Sequence, residues 1–300
     1  LIPSVVNIHG KIILVSTPRF GSEFNKMIEE KPRKWFIDVL NALDSRAVEE
    51  DGTRVYTDEK LENAKSLMSE SKYRQDILCD IDVANENAIY AASLLKAEWI
   101  KDLNIANKRL YVSEDLGIND STALVFTVDN TIIHHYANTD KATIHYIEYI
   151  KTFMKQANIK DVEIILPHDA RNRQDAIDYL TSRREAYNKH FKNVRVLRAY
   201  EVNKTIEITR HSIEQHKIKF LDCASVREMV RLMKAYEWKI DNSTGENLRV
   251  PIHGRGLAAS NTCDAVEYFC MRMFLEEYEE KMKEFVYQDN YENGDYDFYD

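Results

Sequence analysis

The sequence predicts an α/β fold in which a mixed sheet flanked by helices follows a smaller, incomplete unit. Three observations carry this expectation. Residues 108–136 contain three short apolar runs separated by turn-forming pairs; beyond residue 142 helical and strand periodicities alternate; and before residue 107 the pattern is irregular, with one isolated apolar strand. A chain of 300 residues also exceeds the size of one ordinary core, about 100 to 150 residues.

Near the start, Lys11-Ile12-Ile13-Leu14-Val15-Ser16-Thr17-Pro18 reads as a buried strand closed by small polar residues and a proline. A lone strand leaves both edges unsatisfied, so residues 1–57 read as the end of one domain and 58–107 as a linking subdomain. Within them, residues 21–30 predict a short helix, 35–40 a strand, and 58–69 a helix with Thr57 as its N-cap. The patterning of 71–105 is mixed, which puts the boundary near Asn107. From there the signal sharpens: strands at 109–113, 121–128 and 131–136, the last two joined by Asp129-Asn130, make an antiparallel meander. Residues 142–156 carry Ile144, Ile147, Ile150 and Phe153 at helical spacing, and 162–166 is wholly apolar, as a buried parallel strand is. A helix at 174–184, a strand at 194–198, a helix at 204–215, a strand at 218–222 and a helix at 225–235 follow. Next comes a hairpin across 238–250, turning at Asn242-Ser243-Thr244-Gly245, and a final helix from about Thr262. Residues 108–285 thus form one domain, and 286–300 an acidic tail expected to be disordered.

Composition narrows the function classes. No apolar run approaches the roughly 18 residues of a membrane span, and no signal segment opens the chain, so a cytosolic protein without a membrane partner is expected. Cys79, Cys223, Cys263 and Cys270 lack metal-binding spacing. The net charge of −9 argues against nucleic acid until its position is considered: residues 276–300 hold ten acids and two lysines, which leaves about −1 for everything before them. A basic groove in the body is compatible with that balance.

Asp115, Asp169 and Asp264 each stand where a strand ends or a helix begins. Right-handed crossover makes the strands before Asp115 and Asp169 neighbours, ligands gather at the carboxyl ends of such strands, and Asp264 is expected in the first turn of the final helix over that end. Three close carboxylates repel, and hard divalent cations relieve the repulsion. Two such ions support phosphodiester hydrolysis, and magnesium or manganese suits carboxylate and water ligands. Asp120 either completes the shell of one metal or closes the turn with Ser121 and Thr122. His168 either touches a scissile phosphate or satisfies a backbone carbonyl. Arg198, Lys204, Arg210 and Lys217 read either as a phosphate-binding stripe or as a solvated face, and Lys239 and Arg249 sit on the arms of a hairpin that either steers DNA or merely connects.

Taken together these residues resemble the large terminase subunit of tailed bacteriophages, over nearly the whole chain. Ser16, Thr17 and Pro18 resemble the coupling motif of that family's ATPase domain, and residues 69–80, with Tyr73, Gln75 and Cys79, its linker. Asp115, Asp169 and Asp264 match the nuclease carboxylates. The segment 238–264, with its hairpin, Pro251-Ile252-His253, Ser260 and Asp264-Ala265, is the most specific match. The resemblance implies an RNase H-like nuclease domain after an ATPase remnant, cutting concatemeric double-stranded DNA in the infected bacterial cytoplasm with magnesium or manganese, alongside a portal and a small terminase subunit. No GxxxxGK[ST] phosphate loop is present, so ATP is expected only in a full-length motor. Where a histidine is common in the family before the last aspartate, Asn261 and Thr262 stand here. The alternatives are another RNase H-like nuclease, of resolvase or transposase type, and a non-catalytic DNA- or portal-binding module.

Overall fold

The computed structural model describes residues 13–17, 23–30, 35–80, 83, 87–116, 121–171, 181–241, 243–244, 247–253 and 258–292. Its contacts divide the chain into two units, Leu1–Glu86 and Asn87–Asp300. The division falls upstream of the expected boundary near Asn107. Ile89, Tyr90 and Leu94 are buried in the core of the second unit, and residues 98–100 join its sheet.

The first unit contains α1 (Glu23–Glu30), α2 (Asp58–Leu67) and α3 (Glu70–Asp76). The Thr57 hydroxyl accepts from the Lys60 amide at 3.3 Å, the cap expected from the sequence. Ser69 caps α3 in the same way. Residues 13–17 and 35–40 are not strands: they form no ladder, and Val15 and Phe36 are each 90% exposed. An apolar run becomes a strand only when another strand takes up its backbone groups, and among the described residues none does so here.

The second unit is built on β1 (Glu98–Ile100), β2 (Arg109–Asp115), β3 (Ser121–Val128), β4 (Thr131–Thr139), β5 (Asp161–Leu166), β6 (Asn193–Val196) and β7 (Lys219–Leu221), in the order β1-β7-β4-β3-β2-β5-β6. Only β3 runs against its neighbours. The β3–β4 turn holds Asp129 and Asn130 at φ 47° and 57°, the left-handed pair that a two-residue hairpin requires. Every residue of β3 is buried, so its side chains alternate between two cores. Ala123 and Val125 enter the core under α4 (Ala91–Leu94), α7 (Val202–Glu214), α8 (Ala224–Lys234) and α9 (Ala258–Glu292). Leu124, Phe126 and Val128 enter the core under α5 (Thr143–Gln156) and α6 (Arg183–Asn188). On α5 the buried stripe is Tyr146, Ile147 and Ile150, while Ile144 is 52% exposed. Of the helix expected at 174–184, residues 174–180 lie outside the described residues, Ser182 caps α6, and residues 183 and 184 begin it. A separate hairpin pairs β8 (Trp238–Ile240) with β9 (Asn247–Pro251). The final helix begins four residues earlier than expected and continues to Glu292, through part of the stretch expected to be a disordered tail.

Glu114, wholly buried on the α5/α6 face, is held by Arg183 at 2.6 Å. Removing one partner of a buried pair leaves an uncompensated charge. Arg183→Ala is therefore expected to lower the unfolding free energy by about 3 kcal/mol, with Glu114→Gln in the same background restoring most of it; chemical denaturation of the two variants checks this.

Candidate active site

Three aspartates are delivered to one end of the sheet by different elements. Asp115 is the last residue of β2, where strand alternation turns it toward α9 while Glu114 points the other way. Asp169 follows the parallel neighbour β5: Pro167 closes that strand, and a single 3-10 turn, His168–Arg171, presents the carboxylate. Asp264 lies on α9, in its second turn rather than its first. The helix start is fixed to the sheet by Asn261, whose Nδ2 donates to the Ser121 carbonyl at 2.5 Å, and by Thr262, whose hydroxyl meets His135 Nε2 at 3.1 Å. Asn261 and Thr262 thus anchor α9.

The electrostatics tie the three together through Asp115. Its carboxyl is pushed up to about 7, chiefly by burial; the hydrogen bond from Tyr268 (3.2 Å) opposes the shift, and the charge of Asp169 adds to it. Asp264 is raised well above the usual carboxylate range by burial and by the charges of Glu267 and Asp115. Asp169 Oδ1 is buried without a hydrogen-bond partner. Among the described residues none of the three is ion-paired with a cationic side chain. Three carboxylates drawn away from water and lacking a counter-charge match the donor chemistry of a hard divalent cation. As placed, however, no three described His, Cys, Asp or Glu side chains form a closed set around one ion. Asp120 lies outside the described residues.

The basic residues singled out from the sequence are arranged differently from a single stripe. Arg210 gives Nε and Nη2 to the Ile89 carbonyl, at 2.8 and 2.5 Å. Lys204 pairs with Glu279 at 2.6 Å and Lys217 with Glu277 at 3.0 Å. These three side chains brace α7 and its neighbourhood, because α7 packs directly on α9 and α4. Arg198 lies over the Tyr200 ring at 4.9 Å. His168 is exposed in its turn, and Lys239 and Arg249 are exposed on the β8–β9 hairpin. In the first unit Ser16 and Thr17 are exposed, with the Ser16 hydroxyl donating to the Thr17 carbonyl, while Pro18 lies outside the described residues.

The strand sequence β4-β3-β2-β5-β6, with β3 alone reversed, is the arrangement of the RNase H-like fold. No family model matches the chain, and no curated protein matches it in sequence. Among solved structures it is similar to the large terminase of a thermophilic bacteriophage (18% identity, TM-score 0.46, 75% of this chain and 54% of that one). It is also similar to the P22 large terminase nuclease domain (12%, 0.45, 63% and 94%), and to the large terminase nuclease of the thermophilic phage G20c with bound cobalt (10%, 0.42, 61% and 97%). These are phage large terminases. The chain spans about half the length of the first of them.

Sequence reasoning missed two residues of α9. Tyr268, one turn beyond Asp264, donates to Asp115. Glu267, 2% exposed, accepts from Tyr90 at 2.6 Å and from Thr205. Their signal was available in the i+3 and i+4 spacing from Asp264, which places all three along adjoining rows of one helix. Burial pushes the Glu267 carboxyl up to about 7, against the opposing hydrogen bonds of Thr205 and Tyr90. A carboxyl raised on folding stabilises most fully below its unfolded range near 4.5 and loses that contribution as pH climbs through about 7. The loss amounts to about 3 kcal/mol. Glu267→Gln, which stays neutral, is expected to show a correspondingly smaller fall in stability from about pH 5 to about pH 8 than the parent. Thermal melts of the metal-free proteins measure the difference, which is enlarged because the variant also removes the charge that raises Asp264.

Proposed function

We propose that this chain carries the nuclease of a phage large terminase: a metal-dependent endonuclease that hydrolyses phosphodiesters of duplex DNA, cutting concatemers as genomes are packaged. One observation carries the reading, the meeting of Asp115 with Asp169 and Asp264 at the carboxyl end of the sheet, without a cationic partner among the described residues. An all-oxygen donor set favours magnesium or manganese. When bound, two such ions supply an activated water on one side of a phosphate and stabilise the leaving oxygen on the other.

The roles of the chain's own residues follow from their places. Asp115, which lies within the electrostatic reach of both Asp169 and Asp264, would hold the ions together with them. Tyr268 orients the Asp115 carboxylate by donating to Oδ1. Asp120 is assigned as a further ligand, and His168 as a contact to the substrate phosphate. The sequence holds no phosphate loop, so ATP hydrolysis is assigned to another part of the packaging motor, with Ser16, Thr17 and Pro18 as its coupling segment. Portal and small-subunit contacts belong to that motor, at work in the cytoplasm of the infected cell.

Asp115→Asn is the direct test. With supercoiled plasmid and magnesium or manganese, nicking is expected to fall at least about a hundredfold, since metal-borne stabilisation of a transition state amounts to several kcal/mol. The melting temperature of the parent should rise with added manganese, while that of the variant should not. Undiminished nicking by the variant would remove the assignment. A parent protein blind to both metals would favour the non-catalytic DNA- or portal-binding module.

A further inference from the structure

A second constellation lies on the same face of the sheet as Asp115, farther from its carboxyl end. Glu163, in the middle of β5 and with 7% of its side chain exposed, is met by three guanidinium groups from three different elements. Arg109 of β2 reaches Oε2 at 2.9 Å; Arg195 of β6 and Arg272 of α9 reach Oε1 at 3.1 and 2.7 Å. Asp161 adds a looser contact to Arg109, at 3.6 Å. Three cations thus surround two carboxylates, in a protein whose overall charge is −9. One guanidinium balances the charge of a buried carboxylate, so three guanidiniums against Glu163 and Asp161 leave the cluster with one excess positive charge.

The arginines remain accessible. Their side chains are 42% (Arg109), 55% (Arg195) and 28% (Arg272) exposed. Each guanidinium has five N–H donors, and among the described residues Arg195 and Arg272 are each hydrogen-bonded only to Glu163. The shelf is open because β6 is the edge strand and, within the sheet, α9 packs chiefly on β2 and β3. On α9, Asp264, Tyr268 and Arg272 recur every four residues along one row, so Arg272 sits about 12 Å along the helix from Asp264. Arg109 stands about 20 Å along β2 from Asp115. Those separations correspond to about four to six nucleotides at a rise of about 3.4 Å per strand.

We propose that Arg109, Arg195 and Arg272, held apart by Glu163, form a shelf that grips the sugar-phosphate backbone of duplex DNA a few nucleotides from the scissile bond. The inference rests on the nuclease reading and adds the surface that holds the substrate. Glu163 sets its strength: it keeps the forks in place and cancels part of their charge, so DNA binds without reading sequence and releases readily.

The test is equilibrium binding of a fluorescein-labelled DNA duplex, followed by anisotropy in EDTA over a range of salt concentrations. Arg109→Ala with Arg195→Ala is expected to weaken binding at least about tenfold and to lower the slope of log affinity against log salt by about 2, one for each lost phosphate contact. Glu163→Gln is expected to tighten binding and steepen the slope, because it removes a neutralising charge and keeps hydrogen-bonding capacity. If the cluster only fastens β6 and α9 to the sheet, Glu163→Gln lowers the melting temperature without tightening binding, and the proposal falls. It falls too if the double-alanine variant melts normally and binds DNA with unchanged affinity and slope. Metal-dependent nicking, measured in parallel, separates this proposal from the one it rests on. Nicking with no effect of the shelf variants on binding refutes the shelf alone, whereas shelf-dependent binding with no nicking by the parent refutes the nuclease alone.

Discussion

The structure turns on the contrast between two adjacent carboxylates. Glu114 and Asp115 end the same strand, and the two-residue period of a strand sends them to opposite faces of the sheet. Glu114 meets Arg183 and is neutralised inside the protein. Asp115 meets Asp169 and, across the interface with α9, Asp264, and its carboxyl is pushed up to about 7. The sheet order, the Pro167 stop and the placement of α9 all serve to put like charges where, among the described residues, no cationic side chain pairs with them. Such an arrangement opposes folding above neutral pH, so an external cation fits the site better than any further protein contact.

The long helix α9 acts as a ruler laid on that face. Its start is fixed to β3 and β4 by Asn261 and Thr262, and its middle is buried through Val266, Phe269 and Cys270. The T-shaped contact of Phe269 with Tyr111, at 5.9 Å between centroids, fixes its rotation relative to β2. With both ends of the packed stretch constrained, Asp264, Tyr268 and Arg272 fall in register with Asp115 and Glu163. The first residues of the helix therefore decide where functional groups two and three turns away will lie.

Much of this was legible in the sequence. Short apolar runs and the Asp129-Asn130 turn marked the meander, and the apolar run before Pro167 marked the buried parallel strand, so Asp115 and Asp169 fall at neighbouring strand ends on pattern and right-handed crossover alone. Local pattern could not reveal which basic residues are free. Arg210 and Lys204 look like a surface stripe until tertiary packing gives one a backbone carbonyl and the other Glu279. Nor did pattern place Arg109, Arg195 and Arg272 together, since β2, β6 and α9 are distant in the chain and meet only in the folded sheet. The apolar run at 13–17 shows the opposite limit: composition signals a strand, but composition alone cannot provide the neighbour that makes one.

The second unit treats its inward carboxylates in three ways, and the differences sort structure from function. Glu114 and Glu163 meet guanidinium groups, and at Glu163 the hydrogen bond and charges of its arginines hold the carboxyl below its usual range despite the opposing effect of burial. Glu267 is satisfied by the hydroxyls of Tyr90 and Thr205, which bring donors but no charge, so its carboxyl is raised and the neutral form is favoured near neutrality. Asp169 keeps a buried oxygen with neither. Leaving a buried acceptor unmade costs on the order of 1 to 3 kcal/mol. At Asp169 that cost falls beside Asp115, a carboxylate it repels, so a cation held by both would relieve the two penalties together.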